Sequence, residues 1–149
     1  MNQTLENQTV SEINLGTIQH FAQNLSVPET RSIPECGINQ GIRQGDVYAI
    51  RIDNFKKADY KISSERQLAP GTTQGSRHTV DESVEVWVPE NNQYDVKLTE
   101  NGFTCLGPVV VAKNRWNLMH PQHAHFDMPE GTYQISYQVD PVQQRRVLD

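Results

Sequence analysis

The stretch "TYQISYQV", residues 132–139, decides the fold. Tyr133, Ile135, Tyr137 and Val139 alternate with Gln134, Ser136 and Gln138. Successive side chains of an extended strand point to opposite faces, so this spacing gathers the apolar groups on one side and the polar groups on the other. An antiparallel sheet with one face on a core and one face wet reads in this way.

Working outward, "DVYAIRI" (46–52), "SVEVWV" (83–88), "YDVKL" (94–98) and "FTCLGPVVVAK" (103–113) have the length and β-branched content of further strands, with Val84, Val86 and Val88 on one face. Turn signals separate them at "APGTTQG", "PENNQ", "ENG" and "MPEG", and no helical crossover lies between. Asn101-Gly102 accepts the positive φ values of a tight turn and predicts a hairpin. The fold expected is mainly β: an antiparallel β-sandwich or a small barrel. One short N-terminal helix is expected within "SEINLGTIQHFAQNL" (11–25), where Ile13, Ile18, Phe21, Ala22 and Leu25 lean toward one helical face. His20 on that helix reads as structural. The organisation predicted is a polar, flexible segment at 1–12, a single β-rich domain at 13–140 and a tail at 141–149 that carries "QQRR".

The chain has 149 residues and a formal net charge of -5, so it has no overall basic field to gather nucleic acid without sequence preference. No apolar run approaches the roughly 20 residues that span a bilayer, and "MNQTLENQTV" has neither the basic nor the apolar region of a secretion signal. A cytoplasmic protein that uses no membrane is expected. Cys36 and Cys105 lack a CxxC spacing and are expected as free thiols rather than a bridge. Trp87 and Trp116 read as packing residues, and Asp46 as a turn residue ahead of its strand.

Chemistry concentrates in "HPQHAHF" (120–126), which holds three of the five histidines. Pro121 disfavours helix at His120. If the stretch runs extended, His123 and His125 point to the same side, as two ligands of one metal need. The glycine-rich loop before His78 can bring a further imidazole close. The expected site therefore joins the 71–80 loop to the 117–127 segment, with His78, His120 and His123 holding a divalent metal such as zinc, iron or manganese. His125 or Glu82 would handle a proton, and Ser76 and Arg77 would touch the ligand.

Three functions fit this set. The first is a metal-dependent hydrolase or oxygenase. The second is a non-enzymatic module that sequesters a small ligand or docks a partner, a homo-oligomer included. The third is a metal-free phosphodiester or nucleotide-processing enzyme in which histidines act as acid and base beside Arg77 and Lys113. A serine nucleophile is disfavoured because "GSRH" is not the GxSxG elbow.

The stretch "PGTTQGSRHTVDESVEVW" (70–87) resembles the first cupin motif, in which a glycine loop leads to metal-binding histidines and then a glutamate, and "MPEG" resembles the Pro-x-Gly turn of the second. This resemblance implies a β-barrel with a metal centre. Ser76 stands two residues before His78 where the cupin motif has the first histidine of HxH. The order "RQGDV", "GTTQGSRHTV", "HPQHAHF" and "PEGTYQISYQ", over residues 42–139, is similar to small uncharacterised bacterial and phage proteins. That resemblance supports the histidines as a site and implies no substrate.

Overall fold

The computed structural model describes residues 28–69, 77–91 and 94–147. In chain order the strands are β1 (Thr30–Ser32), β2 (Gly41–Gln44), β3 (Val47–Ile52), β4 (Tyr60–Ser63), β5 (Thr79–Val80), β6 (Glu85–Pro89) and β7 (Val96–Thr99). They continue as β8 (Gly102–Ala112), β9 (Trp116–Met119), β10 (His125–Met128), β11 (Gly131–Tyr137), β12 (Val139–Asp140) and β13 (Arg145–Arg146). One turn of 3-10 helix, Lys57–Asp59, interrupts them.

The strands form two main sheets. A seven-stranded sheet has the order β2-β3-β11-β8-β6-β4, with β7 also paired to β8, and a four-stranded sheet has the order β1-β10-β9-β5. All the pairings are antiparallel except that of β1 with β10. The alternation in β11 holds as read: Tyr133, Ile135 and Tyr137 are buried, with Gln134 and Ser136 on the other face. They meet Val47, Ala49, Val86, Val110 and Ala112 of the same sheet, and Val80, Trp116, Leu118, Phe126 and Met128 of the four-stranded sheet. Burying each of the larger side chains is worth roughly 1.5–3 kcal/mol, so this layer between the sheets is the main source of stability. Trp116 is wholly buried and donates Nε1–H to the Pro129 carbonyl at 3.1 Å, which makes it the packing residue expected.

The Asn101-Gly102 turn joins β7 to β8 as predicted, and Gly102 takes φ +103°, which side-chain-bearing residues rarely adopt. Cys36 and Cys105 are free and buried. Their thiols face the carbonyls of Gln40 (3.3 Å) and Tyr94 (3.2 Å), and burial pushes the Cys105 thiol above its ordinary range. The segment expected as a tail contains β13, which pairs with β12, and its Arg146 guanidinium lies 4.2 Å from the centre of the Tyr137 ring. The expected N-terminal helix, the polar segment before it, His20 and Ser76 lie outside the described residues. Among the described residues no helix is long and apolar enough to cross a membrane.

Candidate functional site

Strand alternation sorts the histidines. In β5 and β9, Val80 and Leu118 point into the core, so His78, two before Val80, and His120, two after Leu118, point inward as well. His78 is 0% exposed and His120 2%. In β10, Phe126 and Met128 point inward, which leaves His125 on the outer side of the same sheet. Pro121 to Ala124 does not run extended, because the imidazole of His120 curls it: Nδ1 accepts the backbone N–H of both Gln122 and His123 at 3.0 Å. The two-residue spacing of His123 and His125 therefore does not place them as a same-side pair on one strand, as a continuous strand would have done.

His78 is held at both ring nitrogens. Nδ1 lies 2.9 Å from Gln44 Oε1, and Nε2 lies 2.9 Å from Asp46 Oδ1. The Gln44 amide is fixed in turn, because its Nε2 donates to the carbonyls of Leu118 (3.1 Å) and Ala124 (2.8 Å), so its oxygen must be the atom that meets His78. Asp46 is 1% exposed, and burial alone would raise its pKa. The hydrogen bond and charge of His78, its own backbone N–H and Arg146 outweigh that, and its carboxyl stays below the ordinary value. Both nitrogens of His78 thus face acceptors, the arrangement that suits an imidazolium beside a carboxylate. This pairing leaves His78 no lone pair for a metal ion. Among the described residues, moreover, no group of three or more His, Cys, Asp or Glu side chains is arranged to hold one.

The structure does bring the three expected histidines together. The His78 and His120 rings lie 4.5 Å apart between centroids, and those of His120 and His123 lie 4.4 Å apart, forming a column from the core to exposed His123. Burial, then the charges of His78 and His123, lower the His120 pKa to about 4. Its imidazole is neutral at pH 7, and since Nδ1 accepts, the ring proton is on Nε2. That Nε2 and Asp46 Oδ2 are buried atoms without a hydrogen-bond partner.

His125 takes part differently. Its Nε2 lies 2.9 Å from the His120 carbonyl, an acceptor, so Nε2 carries the proton and Nδ1 is left to meet a ligand. On this side a cleft of about 280 Å³ is lined by Arg77, Thr79, Met119, His120, Pro121 and His125. Arg77 is exposed, and no carboxylate lines the cleft. Glu82 does not join it; it is exposed in the turn between β5 and β6. Its neighbour Asp81 fixes that turn by accepting the N–H of Ser83 and of Asn117, both at 2.9 Å.

Residues 43–138 match a family model, a span that takes in Gln44, Asp46, His78, His120, His123 and His125. The chain belongs to this family, whose description is Domain of unknown function (DUF8820). No curated protein and no solved structure matches the chain. Within the family's span, Gln44 and Asp46 are the site residues that the histidine pattern alone misses. They flank Gly45 in "RQGDV", and their polar side chains at the mouth of an apolar strand were the available signal. Asp46 is the turn residue expected, and also the carboxylate that pairs with His78.

Proposed function

We propose that this chain binds a small phosphoryl-bearing anion in the cleft between Arg77 and His125. The observation that carries the reading is that Arg77, Thr79 and a His125 imidazole tied to a carbonyl share one cleft with Met119, His120 and Pro121, and that no carboxylate lines it. Arginine offers several N–H groups in a fork that matches phosphate oxygens. His125, oriented by the bond of its Nε2 to the His120 carbonyl, sets its other ring nitrogen beside the same cleft.

The test is calorimetric titration of the full chain with inorganic phosphate. The reading expects saturable binding that Arg77→Gln weakens about tenfold, the effect of losing one charge-assisted contact. Absence of binding, or binding that ignores Arg77→Gln, would refute it. Metal analysis of protein purified without a histidine tag tests the zinc, iron or manganese reading separately, since bound metal in stoichiometric amount would favour the metal site of His78, His120 and His123 over the anion cleft.

A second reading rests on the fixed tautomer of His125. An imidazole oriented by a carbonyl is the form in which histidine serves as a general base, so metal-free hydrolysis of a phosphate ester in the same cleft is the enzymatic version of the proposal. A chromogenic phosphodiester, turned over by the wild type and not by His125→Ala, would support it.

A further inference from the structure

The cleft beside Arg77 has an order that an inorganic anion would leave unused. Thr79 of β5 pairs with Met119 of β9, and the β9–β10 register, carried one rung past Phe126 and Leu118, sets His125 across from Met119. Thr79, Met119 and His125 thus form one row across three strands on the outer side of the sheet, since their neighbours Val80, Leu118 and Phe126 point inward. Arg77 and Pro121, two residues before Thr79 and two after Met119, stand exposed at the rim. Two strand spacings of about 4.8 Å separate the chain at Arg77 from the strand of His125, about 10 Å in all. What lines the cleft between them is apolar: the side chains of Met119 and Pro121.

We propose that the anion is the phosphate monoester of a small aromatic alcohol, with its phosphoryl group on Arg77 and its ring over Met119. The proposal deepens the anion reading of this cleft and rests on it. A bare phosphate is wholly polar, and over Met119 it would lose water without gaining a partner. An ester uses both parts of the cleft: its oxygens meet the guanidinium fork, while its carbon body displaces water from the thioether. A flat ring suits this floor better than a chain, because methionine sulfur makes favourable contacts with aromatic rings and a rigid ring loses little freedom on binding. Size limits the ligand. At about 280 Å³ the cleft falls just below the roughly 300–1,000 Å³ of pockets that take drug-sized molecules, so one ring with its phosphoryl group fits and a dinucleotide does not.

Calorimetric titration of the full chain with inorganic phosphate and with phenyl phosphate tests it, together with the Met119 methyl signal in NMR spectra. Phenyl phosphate is expected to bind about tenfold more tightly, the gain from covering roughly 60 Å² of apolar surface. Arg77→Gln should weaken both ligands alike, whereas Met119→Ala should remove the gain and leave the binding of inorganic phosphate unchanged. The ring current of phenyl phosphate should shift the Met119 methyl signal, and inorganic phosphate should leave it in place. This last readout uses the wild type, so it holds even where Met119→Ala fails to fold. Equal affinity for the two ligands would overturn the aromatic ester and leave the anion reading standing. A gain that survives Met119→Ala, or a methyl signal that phenyl phosphate does not move, would overturn it as well. Failure of both ligands to bind would refute the anion reading and this proposal together.

Discussion

The two sides of the four-stranded sheet use the same residue type in opposite ways. Inward, His78 and His120 are buried, the first held by Gln44 and Asp46 and the second acting as an acceptor for two backbone N–H groups. Outward, His125 spends one nitrogen on the His120 carbonyl and offers the rest of its ring to a cleft beside Arg77. What differs is the surroundings. An imidazole in the core must have its polar atoms matched and becomes part of the fold, whereas one at the surface keeps a nitrogen for a ligand.

The largest effect that can break this contrast lies at the inward pair. Asp46→Ala leaves the His78 ring facing an empty place in the core, and removing one partner of a buried ion pair costs about 3–5 kcal/mol. Urea unfolding should show a loss of that size, a large part of the roughly 5–15 kcal/mol that holds a domain folded. A loss below about 1 kcal/mol would mean that the pair does not carry the fold.

Next in size is the pH dependence of His120. Its folded pKa of about 4 lies below the ordinary 6.5, so between these two values the unfolded chain binds more protons than the folded one. Its contribution is complete above about pH 6.5 and is lost as the pH falls toward 4, to a total of about 3 kcal/mol at most. Asp46, also lowered, adds stability that is present above its ordinary value of 3.8 and is lost on acidification below it. Urea midpoints measured from pH 7 to pH 4 should fall, and His120→Asn should flatten that slope.

The outward histidine should behave in reverse. His125→Ala is expected to shift stability by less than about 1 kcal/mol and to weaken phosphate binding about tenfold, read by calorimetry. The smallest effect belongs to Glu82→Gln, which should leave stability within about 0.5 kcal/mol and binding unchanged, because this side chain is exposed in a turn away from the cleft.

Much of this was legible in the sequence. Alternation in 132–139 and the Asn101-Gly102 turn gave the sheet class, because period and turn chemistry are local properties. The expected meeting of the 71–80 loop with the 117–127 segment is seen only in its described part, where β5 pairs with β9, and His78, His120 and His123 lie ring to ring. Their division was harder to see. Whether His123 continues a strand depends on the His120 ring folding back onto two backbone N–H groups, a contact that no spacing rule encodes. Gln44 and Asp46 were hidden for a different reason. Their partner lies more than thirty positions away, with |i−j| of 34 and 32, and beside a glycine both read as ordinary turn chemistry.

Imidazole nitrogen spectra of the full chain, recorded while inorganic phosphate is added, test the division of labour most directly. The account predicts that the His125 ring signals move saturably with phosphate while those of His78 and His120 stay fixed, with His120 carrying its proton on Nε2. Movement of His78 and His120 with a silent His125 would contradict it and would put the ligand in the core column instead of the outer cleft.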